Sequence, residues 1–168
     1  MKYQNITKDD MLNGDGLRVV LWVSGCNHQC KGCQNPITWN PDDGLEFGEA
    51  EFKEIAAELS KDYVSGITLS GGDPLHPKNR FDVATLIHAV KRMFPDKTVW
   101  IYTGYTWDEI MKDVRTAQVI KDADVIVEGK FVEELLDKNY HWAGSTNQRV
   151  IDIQKSMQKG RVILHEGN

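Results

Sequence analysis

The order of apolar and polar positions changes period several times along the chain. Leu17–Val23 (LRVVLWV) is a nearly continuous apolar run, the pattern of a strand buried on both faces. Phe52, Ile55, Ala56, Leu59 and Tyr63 recur at i, i+3, i+4, i+7 and i+11, which places them on one face of a helix. Gly66–Ser70 (GITLS) reads as a second strand and runs into Gly71-Gly72-Asp73-Pro74. Val83, Leu86, Ile87, Val90 and Phe94 repeat the helical spacing, and Pro95 stops that helix. Val99–Tyr102 gives a third strand. Thr106 followed by Glu109 is a capping box opening the next helix. Val125–Val127 gives a fourth strand and Phe131–Leu136 a short helix, while Arg149–Ile153 and Arg161–Leu164 read as extended.

Strands alternating with helices imply βαβ units and a parallel sheet. A closed eightfold barrel takes about 250 residues, and this chain supplies only about five or six units of roughly 30 residues. Between a doubly wound open sheet and a barrel cut short, the expectation is an α/β incomplete (βα) barrel of about five to six units, built as one domain over residues 1–168. Such a barrel would leave a lateral gap, and its site should lie at the carboxyl ends of the strands.

Composition narrows the class. Twenty Lys+Arg against 25 Asp+Glu give a net charge of −5, which argues against a phosphate-neutralising nucleic-acid surface. With 40% hydrophobic and 27% charged residues, the chain has enough apolar content to fold. No apolar run nears the roughly 20 residues that span a bilayer, and MKYQNITKDDML has no apolar signal segment. A cytoplasmic protein with no membrane and no nucleic-acid partner is expected.

The chemistry concentrates in one loop after the first strand. Cys26, Cys30 and Cys33 are the only three cysteines, an odd number in a C-x3-C-x2-C spacing unlike a disulfide framework. Iron–sulfur cubanes usually take four thiolates, so three would leave one iron open, as catalytic metal sites require. The competing reading is a structural zinc site with His28, His76 or His141 as fourth ligand. His28 sits inside the three-residue gap, and no second cysteine pair exists, so the spacing favours iron–sulfur. Gly71 and Gly72 allow backbone to approach a ligand, although Gly-Gly-Asp-Pro is also an ordinary turn sequence. Asn13–Gly16 reads equally as a tight turn or a ligand contact. Trp100, Tyr102 and Trp107 read as core or rim aromatics, and Glu133 and Glu134 as a solvated face.

Cys26-x3-Cys30-x2-Cys33 and Gly71-Gly72-Asp73-Pro74 together resemble the two motifs of the radical S-adenosylmethionine (SAM) superfamily. Asn13–Arg18, Asn35, Thr38-Trp39, Trp100–Gly104, Val127–Phe131 and Gly144–Arg149 narrow the resemblance to the activases of anaerobic (class III) ribonucleotide reductases, from about residue 10 to 155. The chain departs from the usual pattern at Gly32, where an aromatic is common, and at Ala143, where arginine is common.

The resemblance implies that Cys26, Cys30 and Cys33 ligate three irons of one 4Fe–4S cluster and that SAM chelates the fourth. It implies that Gly71, Gly72 and Asp73 meet the methionine end of SAM, with Asp73 orienting its ammonium. The backbone of Gly32, Cys33 and Gln34 should meet the adenine side. One-electron reduction by a flavodoxin-type donor would then yield a 5′-deoxyadenosyl radical, which takes a hydrogen atom from a glycine in a loop of the partner reductase. Two other readings stay open at this point: an activase of another glycyl radical enzyme, and a non-enzymatic zinc or iron–sulfur binding module.

Overall fold

The computed structural model describes residues 1–166. Along the chain come β1 (Lys2–Asp10), β2 (Leu17–Val23), β3 (Leu45–Glu46), α1 (Glu49–Leu59), β4 (Val64–Gly71), α2 (Arg80–Met93) and β5 (Thr98–Tyr102). There follow α3 (Trp107–Lys112), α4 (Val114–Ile120), β6 (Val125–Glu128), β7 (Arg149–Asp152) and α5 (Ile153–Lys159). Among the described residues the strands form one seven-stranded sheet in the order β3-β1-β2-β4-β5-β6-β7.

The sheet is open and mixed, which overturns the expected incomplete (βα) barrel of five to six parallel units. Among the described residues only β2-β4, β4-β5 and β5-β6 pair in parallel. The β1-β2, β1-β3 and β6-β7 pairings are antiparallel. Residues that chain-length arithmetic assigns to further βα units are spent elsewhere. The N-terminus forms the β1–β2 antiparallel pair, and residues 129–148 cross as a long connection before β7 pairs back onto β6.

Strand order from β2 to β6 never reverses, so right-handed crossovers put their helices on a single face. One apolar cluster records this. Ile55 and Leu59 of α1, Val83 and Leu86 of α2, Ile110 of α3, Ile120 of α4 and Ile153 of α5 all pack with Val19, Leu21, Ile67, Leu69, Val99, Ile101 and Ile126 of the sheet. The opposite face buries a smaller cluster of Trp100, Val125, Val127 and Val150, against which Tyr102, Trp142 and Ala143 pack. Arg18 lies fully buried, its guanidinium over the Trp100 ring. It donates to Thr68 Oγ1 at 2.7 Å, to the Ile67 carbonyl at 2.8 Å and to the Thr98 carbonyl at 3.0 Å. Burial pulls it down to about 10, so it is still charged at neutral pH.

Locally the sequence is followed closely in the interior. The apolar run of β2 is buried along most of its length, and Thr106 caps α3 reciprocally with Glu109. Tyr63 lies beyond the end of α1 and is 61% exposed, because the helix stops at Leu59 and Ser60 caps it. The helix expected at Phe131–Leu136 is only a 3-10 turn, Glu133–Leu135, with none of its residues buried.

Candidate metal centre

Because β2 and β4 are parallel neighbours, paired from Arg18↔Gly66 to Val23↔Gly71, the loops leaving their carboxyl ends lie side by side. Their backbones are tied together: Gly72 donates to the Val23 carbonyl at 2.8 Å and Asp73 to the Gly25 carbonyl at 2.7 Å. The Asn79 side-chain amide spans both, donating to the carbonyls of Ser24 at 2.8 Å and Asp73 at 3.0 Å. Gly71 takes φ +98°, and a Cβ on Gly72 would stand 2.7 Å from the Gly25 carbonyl oxygen. The glycine pair is therefore required by the close approach of the cysteine loop's own root.

Cys26, Cys30 and Cys33 are half-buried free thiols. All three line one cavity of about 210 Å³ together with Gln34, Gly71, Gly72 and Asp73. Its wall is completed by residues that follow the next two strands, including Thr103, Gly104 and Gly129. The site thus draws on the carboxyl ends of β2, β4, β5 and β6. Gly32 is exposed and lies against Glu133, while Lys31 reaches Glu133 at 2.9 Å and Glu134 at 3.1 Å across the surface. His76 is buried, with its ring 3.3 Å from the Asn27 amide oxygen.

The donor set fits an iron–sulfur cluster. Among the described residues no three His, Cys, Asp or Glu side chains form a group able to hold a metal ion. A cubane places each thiolate on a different iron, and the three cysteines here line one shared cavity. Asn35 donates its backbone N–H to Cys33 Sγ at 3.4 Å, a contact that stabilises thiolate charge. Burial pushes the Cys26 thiol up, a cost that a bound cation reverses.

Asp73 is the polar hub of the cavity. Only 1% exposed, its carboxylate accepts from the Leu75 N–H at 2.8 Å, the Thr103 hydroxyl at 2.9 Å and the Gly104 N–H at 3.1 Å. His28 Nε2 lies 2.7 Å from Oδ2, and the His28 ring packs edge-on against Tyr105 at 4.6 Å. His28, weighed from sequence only as a zinc ligand, instead anchors the cysteine loop to Asp73. Thr103 and Gly104 were not singled out individually by sequence reading, although their place directly after β5 is where site residues collect. The Gly144–Arg149 segment also reaches the cavity. Gln148 accepts from the N–H groups of Gly144 at 3.0 Å and Ser145 at 3.1 Å, and donates to the Gly129 carbonyl at 2.9 Å. Behind it, Arg149 pairs with the buried Glu128, which also accepts from the Trp107 N–H at 2.8 Å.

Comparison with known proteins agrees with this donor set. Residues 12–151 match the family model described as a 4Fe-4S single cluster domain. A protein of Enterobacteria phage T4 is 45% identical over 150 residues, covering 89% of this chain and 93% of its own. One from Haemophilus influenzae is 41% identical over 150 residues, 88% of this chain and 96% of its own. One from Escherichia coli K12 is 41% identical over 152 residues, 89% of this chain and 97% of its own. Each of the three is named an anaerobic ribonucleoside-triphosphate reductase-activating protein. Among the described residues no helix is long and apolar enough to cross a membrane. With nearly its whole length aligned to such proteins at this identity, the chain belongs to the family of anaerobic ribonucleoside-triphosphate reductase-activating proteins.

Proposed function

We propose that this chain acts in the cytoplasm, as one radical SAM domain, to install a glycyl radical on an anaerobic ribonucleotide reductase. Cys26, Cys30 and Cys33 would hold three irons of a 4Fe–4S cluster and leave the fourth to the amino and carboxylate groups of SAM. When bound, the cluster and SAM supply one-electron cleavage to methionine and a 5′-deoxyadenosyl radical, which takes a hydrogen atom from a glycine Cα and leaves as 5′-deoxyadenosine. The electron would come from a reduced flavodoxin-type donor.

The chain's own residues hold and shield. Gly71 and Gly72 bring backbone to the cavity wall with no side chain in the way. Asp73 would take SAM's ammonium by exchanging one of its present donors for it, a charge-assisted contact stronger than the neutral one it replaces. Gln34 and the backbone beside Cys33 and Gly32 would face the adenine side. Thr103, Gly104 and Gln148 fix the remaining wall, keeping water from a radical that would otherwise react with it.

The observation that carries this reading is that three thiols and the Gly-Gly-Asp loop share one cavity at the carboxyl ends of adjacent parallel strands. Its test is anaerobic reconstitution with iron and sulfide, then incubation with SAM, a one-electron reductant and the reductase. The expected result is 5′-deoxyadenosine and a glycyl radical signal on the reductase. SAM cleavage without a glycyl signal would reject the reductase as target. No SAM cleavage by an iron-loaded protein would reject the chemistry.

A further inference from the structure

A glycine offers a binding site nothing but its backbone N–H and C=O. Carrying those groups, and their neighbours', out of water costs about 1–3 kcal/mol for each one left unpartnered. A cavity that admits such a segment must therefore present polar partners of its own. Most candidates around the cysteine cavity are already committed. The Asp73 carboxylate holds four donors. The Gln148 amide is spent on Gly129, Gly144 and Ser145, and the Asn13 amide nitrogen on Asp10.

Tyr102, the last residue of β5, is different. Its hydroxyl oxygen is buried and has no hydrogen-bond partner among the described residues. Buried hydroxyls are rarely left so, and each one asks for an explanation. The residue stands where two cavities meet. It lines the cysteine cavity, and also a second groove of about 440 Å³ that shares Asn13, Gln34 and Gly144 with it and continues under residues 136–143. The exposed side chains of Leu12 and Leu136 stand in that groove. Burial pushes the Tyr102 phenol well above its ordinary value, so it keeps its proton and stays a donor.

We propose that Tyr102 binds the protein substrate: its hydroxyl donates to a backbone carbonyl of the glycine-bearing segment as that segment enters the cysteine cavity from the outer groove. This rests on the activase reading above. Of the two buried side-chain donors left without a partner among the described residues, Trp39 Nε1 and the Tyr102 hydroxyl, only the second belongs to a residue that lines this cavity, and a glycine segment brings the acceptor that fills it.

The test compares wild-type chain and Tyr102→Phe, both full length and cluster-reconstituted, with SAM and the anaerobic reductase. The expected result is a KM for the reductase about tenfold higher, the worth of one good buried hydrogen bond. The same loss should show in the Kd of the cluster-free chain for the reductase. The Kd for SAM should stay within twofold, and the thermal midpoint should stay or rise, because an unpartnered hydroxyl has been removed. A raised SAM Kd with unchanged reductase KM would assign the hydroxyl to SAM and overturn the proposal. No change in either would leave water as its partner and overturn it equally, and a lowered thermal midpoint would mark a structural role. A wild-type chain that gives no glycyl signal refutes the activase reading itself, which separates that failure from a failure of Tyr102.

Discussion

At the scale of single residues, the site separates groups that would hold a cluster from groups that hold the loops. The three thiols belong to the first kind. Cys26→Ala, Cys30→Ala and Cys33→Ala should each abolish cluster assembly, seen as loss of bound iron and of visible absorbance, while the far-ultraviolet circular dichroism stays that of the wild type. Retained iron and SAM cleavage in any one of them would remove that cysteine from the ligand set. Asp73 belongs to both kinds. Asp73→Ala takes the shared acceptor from His28, Thr103 and two backbone N–H groups. Unpartnered buried donors of this sort cost about 1–3 kcal/mol. At about 2–4 °C per kcal/mol for a chain of this size, a calorimetric midpoint several degrees lower is expected, together with weakened SAM binding. A midpoint unchanged from wild type would mean that the carboxylate carries no structural load.

At the scale of elements, α3 offers a clean test of local design. Glu109 reaches back to the Thr106 N–H at 2.7 Å while Thr106 Oγ1 accepts from the Glu109 N–H at 3.3 Å. The Thr106 backbone hydrogen bond, then its hydroxyl, hold the Glu109 carboxyl below the usual glutamate range. A depressed folded-state pKa gives stability that is complete above the unfolded value and is lost as pH falls through the folded one, so the loss lies on the acid side. Urea midpoints at pH 6 and pH 3 should therefore differ less for Glu109→Gln than for the wild type, and Thr106→Ala should cost about 1 kcal/mol at pH 6. Equal acid sensitivity in Glu109→Gln and wild type would contradict this. The same box shows what the sequence makes visible: it and the runs of β2, β5 and α2 are local patterns. Cys26, Cys30, Cys33 and Gly71–Pro74 stand out for the same reason, since their spacing is short. The polar strand β1 escapes notice because only Tyr3 along it is buried. The antiparallel return of β7 escapes because strand direction is written in long-range pairing. The His28–Asp73 and Thr103–Asp73 contacts span 45 and 30 residues, so no window of sequence contains them.

At the scale of the whole molecule, the five α-helices of the described residues cover one face of an open sheet, and the cysteine loop is fastened to that frame by backbone hydrogen bonds from both sides. Gly25 and Cys26 donate to the carbonyls of Thr38 and Trp39 at 2.7 and 3.0 Å, and Asp73 donates to Gly25. These ties run through the backbone, and Cys33 Sγ accepts one backbone N–H, that of Asn35, unlike metal-folded fingers whose stability is the metal's. Stripping iron with a chelator should thus leave a cooperative unfolding transition and the full far-ultraviolet signal, and collapse to an unfolded chain would contradict that arrangement. The chemistry turns on whether three thiolates leave one iron bare for a sulfonium nucleotide. The electron paramagnetic resonance spectrum of the reduced, reconstituted protein, recorded with and without SAM, measures this most directly. A reduced 4Fe–4S signal whose g-values and line shape change when SAM is added is expected. A signal indifferent to SAM, or a colourless protein carrying one zinc, would contradict it.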